Sequence, residues 1–337
     1  MKHRKSEHGF SAGKMIASVL LVLLLAGLLF FALRQQKNGE VIEGAGTSEH
    51  AIQTQLSLEY NGQSRPLKKH LQSVFIMGTD KFSDAIQEKD MELFYNDMQA
   101  DLQVVLVFDT DAKTCTPIQI NRDTMCDVYW LSVNGKVGGT TVSQIALSHV
   151  YGSGKQDSCV NSRNTISHLM FDAPIGNYIS FTMDAVPAIN DLVGGVTVTV
   201  PETLEYLQDP VLVPGKTVTL HGDKALTFVR SRETEPLDAN LQRMERQREF
   251  LSGFTTAART ALRKDPDLFV KGFDTLDPYM VTDLTVNEMS TLADMLAEYE
   301  ILPVVTPEGS LKFGEKFREF TVDQDSLWNI VTAAYCE

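Results

Sequence analysis

Residues 102–120, LQVVLVFDTDAKTCTPIQI, decide the fold that this sequence predicts. Two apolar runs, Leu102–Asp109 and Thr116–Ile120, are separated by a polar stretch of the kind that forms a tight turn. We expect these runs to be a pair of strands. The run SVFIMG at residues 73–78 ends in glycine and is typical of a further buried strand.

More strands and helices alternate along the rest of the chain. YISFTM at residues 178–183 and VTVTV at 196–200 are strand-like, whereas TVSQIALSHV at 141–150 and SRNTISHLMF at 162–171 carry apolar residues at helical spacing. This alternation predicts an α/β fold, with helices packed around a central sheet.

Two helix ends carry recognisable capping signals. Asp184 is placed to cap a helix that Gly194 and Gly195 would end. Thr285 with Glu288 forms a capping box. The helix that follows this box should bury Leu292, Met295, Leu296 and Tyr299.

An uncharged run near the N-terminus, Met15–Leu33, is long enough to cross about 30 Å of hydrocarbon as a helix. The basic residues before it predict that residues 1–14 are a cytoplasmic tail. We therefore expect a membrane anchor at 15–34, an extracellular linker at 35–66 and one extracytoplasmic domain at 67–337. A cleaved secretory signal is the alternative, but such signals have shorter apolar runs.

The acidic composition argues against nucleic acid as a partner, and the cysteine spacing argues against a zinc site. A formal net charge of -14 would repel the phosphate backbone of nucleic acid, although an anionic small molecule could bind at a local basic site. The four cysteines show no zinc-ligand spacing. A disulfide between Cys126 and Cys159 and a set of free, buried thiols are both compatible with an exported domain.

Charged residues stand at the ends of the predicted strands. Asp80 ends the first run, Asp101 precedes the second, and the segment INRDT places Arg122 and Asp123 after the third. Ligands bind beyond strand ends in open α/β sheets, and paired carboxylates suit Mg²⁺. An Arg122–Asp123 pair that only holds a turn, and ordinary surface aspartates, are equally simple interpretations.

Five arginines are concentrated in RSRETEPLDANLQRMERQR, residues 230–248. Helical geometry from about Leu241 places Arg243 and Gln247 on the same face as Phe250 and Phe254, so these polar groups should point inward. A buried guanidinium needs a carboxylate or a phosphate partner. The acidic residues of the same stretch leave internal ion pairing open as the alternative.

Taken in order, these motifs resemble the LytR-CpsA-Psr family. The resemblance is carried by FIMGTD, ADLQVVLVFD, INRDT, NDLVGGVTVTVP, LHGDKALTFVRSR and RMERQR, and VTDLTVNEM resembles the family's tail. It covers about residues 68–270, with an α/β tail at 275–337. It implies a single α/β domain with a mostly mixed central sheet. It also implies an enzyme, held at the cell membrane, that moves an anionic glycopolymer from an undecaprenyl-pyrophosphate carrier to peptidoglycan.

The same resemblance implies roles for particular residues. Asp80 and Asp101 would bind Mg²⁺, or Mn²⁺ in its place, and Asp101, Arg122, Arg230 and Arg232 would be catalytic. The pyrophosphate would be bound by Arg122, Arg230, Arg232, Arg243 and Gln247. Gln99 and Asn121 stand where the family usually has Arg and Pro. A lipid-pyrophosphate phosphatase or pyrophosphatase, and a non-catalytic regulator that binds prenyl phosphates, remain alternative functions.

Overall fold

We analysed a computed structural model of the 337-residue chain. The structure describes residues 57–80, 95–132, 134–232, 237–265, 276–285, 298–315 and 317–337, together with residues 268, 288, 291, 292 and 295. The predicted cytoplasmic tail, membrane anchor and first part of the linker lie outside the described residues. Among the residues that are described, no helix is both long and apolar enough to cross a membrane.

Fourteen strands and five α-helices are described. The strands are β1 (Ser57–Tyr60), β2 (Gln63–Pro66), β3 (Leu71–Thr79), β4 (Ala100–Asp109), β5 (Thr114–Gln119), β6 (Met125–Leu131), β7 (Val137–Gln144), β8 (Asn177–Thr182), β9 (Val196–Thr199), β10 (Thr217–Leu220), β11 (Met280–Thr282), β12 (Glu300–Ile301), β13 (Gly309–Phe313) and β14 (Arg318–Val322). The helices are α1 (Gln156–Leu169), α2 (Ala185–Leu192), α3 (Asp223–Arg230), α4 (Ala239–Lys264) and α5 (Gln324–Tyr335).

A six-stranded mixed sheet forms the centre of the fold, with the strand order β11-β8-β3-β4-β5-β12. Strands β3, β4 and β5 are antiparallel neighbours, whereas β8 lies parallel to β3 and β12 parallel to β5. The prediction of a central mixed sheet is therefore confirmed. Four of the five predicted strands belong to this sheet.

The central strands are buried on both faces, which explains why their sequences are continuously apolar rather than alternating. Phe75 and Val105 contribute to a main core that includes Ile166 of α1 and Leu327 of α5. On the opposite face, Ile76 contributes to a second cluster with Leu106, Leu292 and Met295. Successive side chains of a strand point to opposite faces, so each strand supplies both clusters.

A separate apolar cluster joins α2, β9, β10, α3 and α4. Here the predicted strand VTVTV forms β9, but it pairs with β10 in a two-stranded sheet rather than with the central strands. Helix α4 lies very close to β9, because a Cβ atom at Gly253 would be 2.6 Å from the carbonyl oxygen of Thr197. This contact fixes α4 against the cluster and directs its first turns toward the central sheet.

The structure corrects two predicted boundaries. The helix predicted at residues 141–150 is wrong, because β7 pairs with β6 up to Gln144 and only a 3-10 helix, Ile145–Val150, follows. Residues 57–66, predicted to be linker, form the β1–β2 hairpin. Leu58 of this hairpin is fully buried in the main core, so the segment is part of the folded domain.

The two predicted capping signals have different outcomes. The Thr285–Glu288 capping box is confirmed, because the Glu288 carboxylate accepts from the Thr285 backbone N–H at 2.8 Å and Thr285 Oγ1 accepts from the Glu288 N–H at 3.3 Å. Leu292 and Met295 are buried as predicted, while Leu296 lies outside the described residues. Helix α2 begins directly after Asp184, but the Asp184 side chain forms no capping hydrogen bond.

The predicted Cys126–Cys159 disulfide is not formed, and all four cysteines are free. Cys159 is fully buried on α1, where its sulfur lies 3.7 Å from His149 Nε2. Cys126 lies on β6, across from Ser143 in the β6–β7 hairpin. Burial raises the pKa of each of these two thiols to about 12, so both stay protonated at neutral pH.

Candidate active site

The topology of the central sheet brings the charged strand ends together. Asp80 follows β3, Asp101 lies at the start of β4, and Arg122 follows β5. Because β4 runs antiparallel to both neighbours, the end of β3, the start of β4 and the end of β5 lie side by side. We call this row of strand ends the site edge of the sheet. The backbone N–H of Asp80 donates to the Gln99 carbonyl at 3.2 Å, which ties these segments together.

Asp101 is the centre of this edge. Its Oδ2 accepts a hydrogen bond from Arg243 Nη1 at 2.8 Å, and its Oδ1 accepts from Arg122 Nη1. The three side chains are almost completely buried. A buried carboxylate between two guanidinium groups is a charge-assisted arrangement that leaves one positive charge in excess.

Gln99 orients Arg122 from the opposite side. Its Oε1 accepts a hydrogen bond from Arg122 Nη2, so both terminal nitrogens of this guanidinium are held. An arginine at position 99 could not accept this bond, because arginine side chains only donate. Gln99 therefore orients Arg122, and the site lacks the additional positive charge that an arginine at position 99 would supply.

A chain of amide side chains links the INRDT loop to helix α4. Asn121 Oδ1 accepts from Asn240 Nδ2 at 2.6 Å and from the backbone N–H of Asp123 at 2.9 Å. Asn240 Oδ1 in turn accepts from Arg243 Nη2 at 2.7 Å. Asn240 was not among the predicted site residues. Its position three residues before Arg243, on one helix face, was the available signal.

Asp123 faces the same guanidinium groups from the loop side. Its Oδ1 lies 3.5 Å from Arg122 Nε and accepts from Gln144 Nε2 at 2.8 Å. Burial raises the pKa of Asp123, and the positive charges of Arg122, Arg232 and Arg243 oppose that rise. Asp123 is fully covered, so its carboxylate supports the arrangement of Arg122 rather than contacting a ligand.

Two further predicted arginines, Arg230 and Arg232, lie at and just after the C-terminus of α3. Arg230 Nη2 lies 3.4 Å from Asp80 Oδ1, and its side chain is 55% exposed. Arg232 is also exposed and, within the part of the chain that is described, has no hydrogen-bond partner. Desolvation and the nearby charge of Arg122 lower the pKa of Arg232. Both guanidinium groups can therefore contact a bound anion without leaving a buried carboxylate unpaired.

The predicted inward face of α4 is confirmed by burial. Arg243 and Gln247 are 2% and 5% exposed, and Phe250 and Phe254 continue the same buried face. The partner of Arg243 is Asp101 of β4 rather than a carboxylate of its own segment. Glu233 and Glu235, two of the acidic residues considered for ion pairing, lie outside the described residues.

The remaining arginines of this segment have structural roles. Arg246 is buried, and its Nε donates to the Phe228 carbonyl at 3.0 Å while Nη2 donates to the Ser231 carbonyl. These bonds hold the end of α3 and the residues that lead to Arg232. Arg248 lies 3.8 Å from Glu245 on the surface of α4. Neither guanidinium contacts Asp101 or Asp80.

An apolar cavity of about 90 Å³ lies beside this cluster. It lies between the central sheet, α2 and α4, and nearly all of its lining is apolar. Gly78 and Leu102 line it close in sequence to Asp80 and Asp101, and Gln247 lines it one turn after Arg243. Gln247 Nε2 donates to the Val229 carbonyl at 3.3 Å. The apolar cavity and the charged cluster are therefore neighbours.

Asp80 and Asp101 are the two carboxylates of the predicted metal site. No group of three or more His, Cys, Asp or Glu side chains suited to a metal is found among the described residues. Burial and the negative charge of Asp101 raise the pKa of Asp80, so the two carboxylates repel each other. A divalent cation would relieve that repulsion, and each carboxylate oxygen can accept more than one contact. The donor set fits Mg²⁺ when a ligand supplies further oxygens.

Comparison with known proteins identifies the family. A model described as the LytR_cpsA_psr family matches residues 31–330. A polyisoprenyl-teichoic acid–peptidoglycan teichoic acid transferase TagU of Bacillus cereus is 25% identical over 64% of this chain and 66% of its own length. The TagV transferase of Bacillus subtilis is 23% identical over 71% of this chain and 57% of its own length. The chain therefore spans less than two thirds of these relatives.

Solved structures share the fold. The structure described as TagT bound to LIIa-WTA is 20% identical, with a TM-score of 0.57 over 79% of this chain and 90% of that one. A crystal structure from Enterococcus faecalis, described as a transcriptional regulator, is 22% identical, with a TM-score of 0.56 over 78% of this chain and 86% of that one. At these identities the likeness establishes the fold alone.

Proposed function

The chain belongs to the LytR-CpsA-Psr family, and from that premise we propose that it transfers an anionic glycopolymer from an undecaprenyl-pyrophosphate carrier to peptidoglycan. Teichoic acid and capsule are the classes of polymer that we propose. The names of the TagU and TagV relatives support a transferase of this kind. The membrane anchor predicted from Met15–Leu33 would keep the enzyme beside its lipid-linked donor.

One observation carries this proposal: a guanidinium cluster lies beside an apolar cavity. Arg122 and Arg243 meet at Asp101, and the neighbouring Leu102 lines the cavity. A polyprenyl pyrophosphate has the same division between an apolar chain and a doubly charged head. We propose that the part of its lipid nearest the phosphates enters the cavity and that its phosphates lie against the arginines.

The proposed reaction is a phosphoryl transfer. A hydroxyl of the acceptor sugar attacks the phosphorus that carries the glycopolymer, and a new bond between that oxygen and phosphorus forms. The anhydride bond to the lipid-side phosphate breaks, so polyprenyl monophosphate leaves. The proton that the hydroxyl loses ends on the departing monophosphate. Such reactions depend mainly on positioning and on stabilising the charge of the transferred and leaving oxygens.

The arginines divide into two groups in this proposal. Arg122 and Arg243 are oriented before the ligand arrives, because Asp101, Gln99 and Asn240 hold their terminal nitrogens. Arg230 and Arg232 are exposed and can close onto the phosphates. A fixed pair of donors costs little reorganisation when negative charge develops, while the exposed pair supplies additional binding of the donor.

We propose that Asp80 and Asp101 bind Mg²⁺, or Mn²⁺ in its place, together with oxygens of the pyrophosphate. The cation would supply Lewis-acid stabilisation of the phosphate oxygens. The protein's own contribution is to hold the two carboxylates near each other at the sheet edge. The Arg230–Asp80 contact limits the repulsion between them until the ligand is bound.

The proposal can be tested with the full chain in detergent, a lipid-pyrophosphate-linked saccharide, Mg²⁺ and a peptidoglycan oligomer. Mass spectrometry of the products distinguishes three outcomes. Saccharide joined to peptidoglycan through phosphate supports the transferase. Free sugar phosphate alone would identify a hydrolase instead, and binding without turnover would identify a non-catalytic protein that binds prenyl phosphates.

A further inference from the structure

The hairpin formed by β13 and β14 is attached to the INRDT loop beside the arginine cluster. The Phe320 backbone N–H donates to the Asp123 carbonyl at 2.8 Å. Gln144 Nε2 donates both to Asp123 Oδ1 at 2.8 Å and to the Arg318 carbonyl at 2.7 Å. These bonds fix the start of β14 against the loop that carries Arg122. The hairpin comes from the chain's tail, beyond the motifs that define the cluster.

One face of this hairpin combines a guanidinium with an exposed aromatic ring, and a second exposed ring stands at the turn. Phe313 and Arg318 are cross-strand partners, and Arg318 Cζ lies 5.5 Å from the centre of the Phe313 ring. The Phe313 ring is nevertheless 60% exposed, and Phe317 at the turn is 42% exposed. The cation–π contact holds the guanidinium in place and leaves much of the ring accessible.

The opposite face of the hairpin carries a balanced ion pair. Lys312 and Glu319 are cross-strand partners, and Lys312 Nζ lies 2.9 Å from Glu319 Oε2. Adjacent residues of a strand point to opposite faces, so Lys312 faces away from Phe313. The hairpin therefore has a positive aromatic face and a neutral ionic face.

Arg318 adds its charge to the site. Burial raises the pKa of Asp123, and the charge of Arg318 opposes that rise. Burial lowers the pKa of Arg232, and the charge of Arg318 acts in the same direction. Among the described residues, Arg318 is the fifth arginine of a cluster that includes three aspartates, in a chain whose net charge is -14. The residues are Arg122, Arg230, Arg232, Arg243 and Arg318, with Asp80, Asp101 and Asp123. A local excess of positive charge attracts an anion to this edge.

We propose that Arg318, Phe313 and Phe317 form a subsite that binds the anionic glycan of the donor just beyond its pyrophosphate. This proposal rests on the proposed transferase function and names the part of the substrate that the tail recognises. The guanidinium pairs with a phosphate or carboxylate of the first repeat, and the exposed rings cover the apolar face of a sugar. Arg318 is a specificity residue, because it does not touch the phosphorus that is transferred.

The test measures binding of a soluble polymer to the full-length chain in detergent. The probe is a defined glycerol phosphate oligomer, and the control ligand is an uncharged glucose oligomer of matched length. We expect the wild type to prefer the anionic oligomer, with an affinity that falls as salt rises. Arg318→Ala should weaken binding about tenfold, and Arg318→Lys should weaken it less. Lys312→Ala removes the same charge from the other face and should change affinity less than about twofold.

Three results would overturn the subsite: no binding of the anionic oligomer by the wild type, no preference over the neutral oligomer, or equal affinity in Arg318→Ala and wild type. A parallel transfer assay uses a lipid pyrophosphate that carries one uncharged sugar. Arg318→Ala should lose less activity with this donor than with one that carries an anionic repeat, whereas Lys312→Ala should turn over both donors at the wild-type rate. If the wild type bound the oligomer through Arg318 yet never transferred the short donor, the transferase would fail while the subsite stood.

Discussion

Arg243 of α4 and Asp101 of β4 form a buried ion pair with a 2.8 Å contact, although 142 residues separate them in the chain. This pair joins α4, which packs in the apolar cluster of α2, β9, β10 and α3, to the edge of the central sheet. The Arg243 guanidinium, which we propose binds the donor phosphates, also contributes to the packing of α4. The proposed catalytic role and the structural role of this part of the site therefore overlap.

Because these roles overlap, we expect Asp101→Ala to destabilise the fold as well as to lower the activity. It would leave Arg122 and Arg243 buried without their shared carboxylate, which typically costs about 3–5 kcal/mol. Urea unfolding should show this loss of free energy of unfolding. Asp127→Ala, at an exposed position of β6, is the matched control and should change stability by less than about 0.5 kcal/mol. Equal stability of the two variants would contradict the buried-pair account.

Arg232→Ala should separate activity from stability. The side chain is exposed, so its removal should leave the melting temperature unchanged, whereas transfer should fall about 100-fold through loss of a guanidinium at the phosphates. Arg248→Ala removes a surface arginine of α4 and should retain wild-type transfer. A normal rate in Arg232→Ala would remove this residue from the site.

The acid side of the pH–rate profile should depend on Arg230. Burial and Asp101 raise the pKa of Asp80 above its ordinary 3.8, while the charge of Arg230 lowers it. If the ionised carboxylate is the active form, activity falls as pH drops through this raised pKa. Arg230→Ala removes the lowering charge, so the acid limb of kcat/KM should move to higher pH. A shift to lower pH, or none, would show that Asp80 does not control this limb.

The cavity predicts a selective effect on lipid-linked donors. Ala185 is buried and lines the cavity, so Ala185→Leu should narrow it and raise KM for a polyprenyl donor about tenfold or more. A donor with a short, water-soluble lipid should be affected much less. Ala225→Leu adds the same volume to the same apolar cluster away from the cavity and serves as the control. Overpacking costs each variant about 1–3 kcal/mol of stability. Parallel KM changes in both variants would argue against a lipid in this cavity.

Much of the central sheet could be predicted from the sequence, because its strands are buried on both faces and therefore read as uninterrupted apolar runs. The error at residues 141–150 has a physical cause. Gly138 and Gly139 of β7 lie against the Trp130 ring, and the pairing of β7 with β6 outweighs the helical spacing of its apolar residues. Strand pairing is a long-range property that local periodicity does not contain.

Part of the site could also be predicted from local sequence patterns. The inward face of α4 followed from helical geometry, and the strand-end aspartates followed from their positions directly beside apolar runs. Asn240, Gln144 and Arg318 were missed because each gains its role from a contact between distant segments. The Cys126–Cys159 pairing failed because composition alone does not reveal that Cys159 points into the main core beside His149.

The central claim is most directly tested by following radioactive phosphorus placed at the sugar-linked phosphate of a lipid-pyrophosphate donor. With the full chain, Mg²⁺ and a peptidoglycan oligomer, we predict that the label joins the peptidoglycan through a phosphodiester while unlabelled polyprenyl monophosphate is released. Arg232→Ala should leave the label on the lipid. Label that remains in the lipid fraction with the wild-type chain, or that appears only as soluble sugar phosphate, would contradict the account.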